Sequence, residues 1–307
     1  MNFRIQTRVL AAALCWPLLA QVSKDSLISI QVNRVILHAT VREGKGRFVG
    51  DLQKQNFEVL EDGVRQEIVS FSREDLPVAA GILVDNSNSM FNKKSEVVAA
   101  AKAFVRASNP NDELFVLHFN EQLTYGLPVD MPFSADRALL FEALDRMAVA
   151  GQTALYDAII EGLNHLKKSK LTKKALFVIS DGGDNLSLHK ATDVVREADL
   201  SGGLFYAIGI YDAMDGDANP GVLRKLAQNT GGEVYFPKEL AEVGKLCESI
   251  ARDLRSQYMI SYAPPEKAAG GRDYRKIQVR VKDPQGRKLI VRTRTGYYAK
   301  PTEGQRP

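Results

Sequence analysis

From Val78 to about residue 255 the sequence keeps switching between two hydrophobic patterns. VAAGILVD, ELFVLHF, ALFVIS, LFYAIGI and EVYF are short apolar runs, as strands read when both of their faces are buried. Between them lie KKSEVVAAAKAFVRA, ADRALLFEALDRM, ALYDAIIEGLNHLKK, ATDVVREADL, GVLRKLAQ and LAEVGKLCESIARDL, whose apolar residues recur at helical spacing. Buried strands that alternate with amphipathic helices predict an α/β domain over 77–256. Its expected form is a doubly wound, mainly parallel sheet with helices on both faces.

The flanks at 27–74 and 257–300 have a different period. ISIQV and VILHATV place Ile28, Ile30, Val32, Val35, Leu37, Ala39 and Val41 on every second position, the pattern of half-buried strands. REGKGR reads as a turn. NFEVLEDGVRQEIVSF reads as a hairpin around Asp62-Gly63, a dipeptide that accepts the positive φ angles of a tight turn. After YMISYAPP, the stretch YRKIQVRVKDPQGRKLIVRTRTGYYA predicts a second hairpin around DPQGR. Isolated hairpins are marginal, so the two flanks are expected to pack as one small β-sandwich with the α/β domain inserted between them. Two separate appendages are the alternative.

Residues 1–20 stand apart. MNFRIQTR carries Arg4 and Arg8 without an acid, VLAAALCWPLLA is a short apolar block, and polar QVSKDS follows. That order reads as a secretory signal, too short to span a bilayer in the ordinary way. Cleavage after Ala20 suits a periplasmic, extracellular or cell-envelope protein, and an uncleaved segment would make a membrane anchor. Leu14 before Cys15 does not suit a lipoprotein signal. Without the two arginines, 39 of the 41 basic residues stand against 37 acidic ones. So small an excess gives no reason to expect nucleic acid. Cys247 is then the remaining cysteine, on the apolar side of a helical stretch, where a buried inert thiol is expected and an internal disulfide is excluded.

In a doubly wound sheet ligands bind outside the carboxyl ends of the strands, and three loops there carry oxygen donors. Asp85-Asn86-Ser87-Asn88-Ser89 follows the first buried strand, with small oxygen-bearing side chains at every second position. Gly151-Gln152-Thr153-Ala154 opens the helix ALYDAII, and Ser180-Asp181-Gly182-Gly183-Asp184 closes ALFVIS. Turn residues explain any one loop, and Thr153 also suits a helix cap. Together they offer hydroxyls from Ser87, Ser89 and Thr153 with carboxylates from Asp85 and Asp181. Hard oxygen donors without imidazole or thiolate suit Mg²⁺, Mn²⁺ or Ca²⁺ rather than zinc.

The set D-x-S-x-S, the Thr of G-x-TALYDAI and the later S-D-G-G-D resemble the complete metal-ion-dependent adhesion site of von Willebrand factor type A domains, over about residues 77–255. The resemblance implies that Asp85, Ser87, Ser89 and Thr153 reach the ion, that Asp181 acts through water, and that an acidic side chain of a protein partner is the last ligand. Asn86, Asn88, Asp184 and Asp212 would rim the ligand face. The flanks F-x-V-x-E-D-G-x-x-Q-x-I-x-x-F and Y-x-I-S-Y through R-T-R-x-G-Y-Y-A resemble exported bacterial VWFA-related proteins, a group without a known activity.

Other signals point elsewhere less well. YDAMDGDANP bunches Asp212, Asp215 and Asp217 without the EF-hand spacing. His38, His118, His165 and His189 form no zinc motif, although His189 lies near the third loop. Phosphate loops and nucleophile elbows are missing. Ser87 stands where an aspartate-nucleophile phosphatase would need its second aspartate. The charges of RKIQVRVKDPQGRKLIVRTR fall on alternate positions, as on a solvated strand face. The expected function is an exported, metal-dependent protein-binding module of adhesion or scaffold type, without enzymatic activity because no general base or nucleophile stands beside the loops. The alternatives are a metal-dependent hydrolase, or an accessory subunit of an envelope enzyme complex, and a metal that only braces the loops.

Overall fold

A computed structural model of the chain describes residues 34–299 apart from 45, 74, 212–218 and 266–272. The leader at 1–20 and the strand expected at 28–32 lie outside the described residues. The first flank contains β1 (Val35–Glu43), β2 (Phe57–Glu61), β3 (Val64–Gln66) and β4 (Ile68–Ser72). The middle of the chain contains β5 (Val78–Asp85), α1 (Lys94–Ala107), β6 (Glu113–Phe119), β7 (Leu123–Tyr125), α2 (Arg137–Asp145) and α3 (Leu155–Leu166). It continues through β8 (Lys173–Ser180), α4 (Ala191–Ser201), β9 (Leu204–Gly209), α5 (Pro220–Thr230), β10 (Val234–Tyr235) and α6 (Val243–Arg255). The second flank supplies β11 (Tyr258–Tyr262), β12 (Tyr274–Val281), β13 (Leu289–Arg292) and β14 (Gly296–Tyr298).

The middle segment is the predicted α/β domain. Its sheet has the order β10-β9-β8-β5-β6-β7, parallel except where β7 joins antiparallel to β6. All eight residues of β5 are buried, because helices cover both of its faces. On one side α1 packs between α6 and α2, and on the other α4 packs between α3 and α5. Chain order runs outward from β5 in both directions, so β5 and β8 lie at the switch point and their carboxyl ends adjoin. Among the described residues no helix is long and apolar enough to cross a membrane.

The flanks interleave. One sheet has the order β13-β1-β11-β4 and the other β14-β12-β2-β3, so each mixes strands from both ends of the chain. Alternate residues such as Leu37, Ala39, Val59, Tyr258, Ile260 and Tyr262 form their shared core, giving a small β-sandwich. Asp62 and Gly63 have φ of 49° and 83°, which closes the β2–β3 turn as the dipeptide predicts. The second hairpin is a correction. β12 pairs with β2 and β14, whereas β13 pairs with β1, so the DPQGR turn passes the chain from one sheet to the other. A turn signal fixes where a strand ends and leaves its partner open.

Polar side chains fasten the two parts together. Asp253, on α6, is fully buried. It accepts hydrogen bonds from Thr40 of β1 at 3.0 Å, from Tyr206 of β9 at 2.8 Å and from Arg292 of β13, with Arg42 3.7 Å away. Arg42 and Arg292 also pair with Glu233. Removing one partner of a buried pair leaves the other charge uncompensated and costs about 3–5 kcal/mol. Asp253→Ala is therefore expected to lower the unfolding free energy by that order in denaturant titration. Arg146→Ala, which removes an exposed i,i+4 pair with Glu142, is expected to change it by less than about 1 kcal/mol.

Candidate metal site

Strand β5 ends at Asp85, and the chain must leave the sheet there because the next residues lack apolar side chains to bury. The exit is fixed by main-chain bonds to the neighbouring loops. Asn86 N donates to Phe119 O at 2.7 Å, Ala150 N to Asn86 O at 2.9 Å, and Asn88 N to Gly151 O at 3.1 Å. Residues 88–93 then form a 3₁₀ turn that leads into α1. The first loop is thus laid directly against the second.

The second and third loops are joined in the same way. Thr153 N donates to Asn185 Oδ1 at 2.9 Å, and Asn185 N and Leu186 N both donate to Thr153 O at 3.1 Å. Asp157, in the first turn of α3, accepts from Leu188 N and His189 N. The His189 ring lies 2.7 Å from the same carboxylate, so this histidine anchors the loop and does not face the donor set. Gly182 takes φ of 81°, in the left-handed region that favours glycine, to turn the third loop beneath Tyr211.

Asp85 is fully buried. Its Oδ1 accepts from Ser87 N at 2.9 Å and its Oδ2 from the Ser180 hydroxyl at 2.6 Å, which ties the ends of β5 and β8 together. Burial, and next the charge of Asp181, push its pKa up from 3.8 to about 6. Asp181 is also buried, with Oδ1 accepting from Gly183 N at 3.0 Å. The Ser87 and Ser89 hydroxyls lie 3.0 Å apart. Thr153 is buried, and its hydroxyl makes no hydrogen bond among the described residues. The helix cap falls to Ala154, which supplies no side-chain bond, so Thr153 does not serve as the cap.

The donor chemistry fits a hard divalent cation. Among the described residues the buried carboxylates of Asp85 and Asp181 have no basic partner, and the hydroxyls of Ser87, Ser89 and Thr153 make no bond to the main chain. Among the described residues no group of three or more His, Cys, Asp or Glu gathers.

The rim residues divide. Asn88 is exposed beside Ser89, while Asn86 is buried, its amide 3.3 Å from Nδ1 of His118. Asp184 accepts from Tyr156 N at 3.1 Å and from the Ser187 hydroxyl at 2.5 Å, and so caps the start of α3. Asp212 lies outside the described residues. Sequence reading passed over Ser180 and Asn185 as positioning groups. Both act through single hydrogen bonds across loops, and no spacing announces such bonds. Cys247 is buried on α6, and burial pushes its thiol well above the ordinary range.

Residues 81–249 match the family described as von Willebrand factor type A domain. No curated protein matches the chain. Among solved structures, von Willebrand factor type A from Catenulispora acidiphila is similar with a TM-score of 0.53 and 16% identity, over 80% of this chain and 75% of that one. The vWF domain of the type V pili tip protein Mfa5 from Porphyromonas gingivalis has a TM-score of 0.50 and 13% identity, over 58% of this chain and 95% of that one. Proximal thread matrix protein 1 from the mussel byssus has a TM-score of 0.50 and 14% identity, over 60% and 49%. At these identities the likeness is one of fold.

The raised pKa of Asp85 has a thermodynamic sign. Without metal, ionised Asp85 opposes folding; the penalty is absent below its unfolded value of 3.8 and grows as pH rises through about 6. At pH 7.5 it amounts to roughly 2–3 kcal/mol. Asp85→Asn is therefore expected to melt higher than wild type at pH 7.5 in chelator, and the gap is expected to close at pH 4. A variant that melts lower at both pH values would show that the carboxylate stabilises the metal-free fold.

Proposed function

We propose that this chain, which belongs to the von Willebrand factor type A family, is an exported binding module that captures a carboxylate of a protein partner through a divalent metal. Asp85, Ser87, Ser89 and Thr153 would hold Mg²⁺, or Mn²⁺ or Ca²⁺, with Asp181 acting through water. Type A domains are modules of protein interaction and adhesion, so a protein partner is the expected ligand class. The carrying observation is the convergence of the three loops. They set the Thr153 hydroxyl, free of any hydrogen bond among the described residues, in one loop cluster with the buried pair Asp85 and Asp181.

When bound, the ion supplies an electrophilic centre for an incoming acid. The chain's own groups divide the remaining work. Asp85 contributes charge and is held in place by Ser180 and by the Ser87 N–H. Asn185 fixes the height of Thr153 through its N–H. Asn88 and Ser89 are exposed, which supports access of a macromolecule to these loops.

We assign no catalytic residue. His118 is the imidazole nearest the first loop. Its Nε2 lies 2.8 Å from Ala143 O, and burial holds its pKa below the ordinary value, which supports a neutral, structural ring. The leader at 1–20 motivates the exported location, in the periplasm or at the cell envelope.

In calorimetric titration with Mg²⁺ at pH 7.5, wild type is expected to bind, and Asp85→Ala and Thr153→Ala to lose at least tenfold in affinity while keeping their circular dichroism. Affinity should also fall toward tenfold per pH unit below about 6, as protons compete for Asp85. Capture of envelope proteins should disappear with chelator and with both variants. Equal capture by the variants in chelator would remove the receptor reading. Turnover of phosphate esters or peptides lost with the same substitutions would replace it with a hydrolase.

A further inference from the structure

Among the described residues the C-terminal strands leave parts of two neighbouring sheet edges unpaired, and the metal loops use neither. In β12, Asp62 N donates to Lys276 O and Lys282 N donates to Asn56 O, so even-numbered residues turn their main-chain groups toward β2. Odd-numbered residues turn the other way. Ile277 N donates to Thr295 O, just before β14, and the pairing of β14 with β12 ends there. Val279 and Val281 therefore direct their N–H and C=O groups to a side where none of the described residues forms a strand. In β13, Gly44 N donates to Lys288 O, so Ile290 and Arg292 face β1 while Leu289, Val291 and Thr293 face away. β13 is the outer strand of its sheet.

A groove of about 730 Å³ lies along these edges, lined among others by Val279, Val291, Thr293, Arg224 and Phe236. The hydroxyl of Thr293 is buried there without a hydrogen-bond partner.

Side chains point to the same occupant. Val279, Val281, Leu289 and Val291 pack against the sandwich core yet stay only partly buried, so the core loses its cover along this side. On the outer positions Lys276, Arg280 and Lys282 are exposed, as are Lys288 and Arg224 nearby. The acids close by are already engaged. Glu233 is bound by Arg42 and Arg292, Asp283 by Arg287, and Glu58 lies 3.7 Å from Arg280. Arg280 is thus paired with Glu58, while Lys276, Lys282 and Lys288 have no acidic partner among the described residues and leave the edge positive.

We propose that this groove takes an extended segment of a partner protein as an added β-strand, with residues that alternate between apolar and acidic. Its main chain pairs with Val279 and Val281. Its apolar side chains cover the exposed margin of the sandwich core, and its acidic ones face Arg280 and Lys282. This is a second contact surface, independent of the metal site.

The test uses the full chain at low salt with two probes, acetyl-(Val-Glu)₄-amide and acetyl-(Val-Lys)₄-amide. Binding is read by calorimetry and by amide hydrogen exchange. The acidic peptide is expected to bind and to slow exchange at Val279 and Val281 at least tenfold, and the basic peptide to do neither. Val279→Pro deletes an N–H on the open side while sparing the bonds to β2, and proline is tolerated on sheet edges. It is expected to weaken the acidic peptide at least tenfold. The variant Lys282→Glu, at a side chain without an ion pair among the described residues, is expected to do the same with unchanged melting, and it keeps the test valid if the proline variant folds poorly. Lysines on an edge also guard against self-pairing. Absence of peptide binding, binding without protection at Val279 and Val281, or protection of those amides by self-association alone in sedimentation would each overturn the proposal.

Discussion

The carboxylate of Asp253 fastens the β-sandwich to the α/β domain. It sits at the end of the last helix of the α/β domain, out of contact with water, and its hydrogen-bond partners come from β1, β9 and β13. A lone buried charge of this kind would be strongly unfavourable. It is tolerable because arginines from both ends of the chain converge on it. The sandwich is therefore tied to the domain by ionic and hydrogen-bond geometry that has to be satisfied in full, more than by apolar area that could slide.

Asp85 makes the contrast. It is as deeply buried as Asp253, yet its neighbours are hydroxyls, a backbone N–H and a second carboxylate. A chain selected for stability alone would place an arginine there or remove the acid. Keeping two acids together at the switch point of the sheet, without a basic partner among the described residues, is the observation on which the proposed metal site rests.

Much of the fold was legible because burial writes itself into period. Runs such as VAAGILVD can only be strands covered on both sides, and the helical repeats between them supply the cover. The positions of the three candidate loops were legible for a related reason, since small polar residues gather where apolar runs stop. Partnership was less legible. The DPQGR turn was read correctly as a turn, but β12 and β13 go to different sheets because each completes a face started by the N-terminal flank. Asp184 looked like a rim residue, and it caps α3 through a bond to Tyr156 that depends on a loop folding back across 28 positions. Ser180 and Asn185 went unread because each matters through one contact that only the folded chain creates.

The α/β domain is inserted between β4 and β11, and these two strands are hydrogen-bonded neighbours, with Ser72 opposite Met259. The chain therefore leaves the sandwich and returns to it at almost the same place. During synthesis, β1 waits for β11 and β13, which do not exist until the whole inserted domain has been made, and β2 has only β3 beside it until β12 follows. The domain holds its own core and local connections and can form first, whereas closure of the sandwich spans nearly the full length of the protein. The sandwich is thus the part of the fold whose closure depends on the longest-range contacts, and the central domain is what sets its two ends side by side.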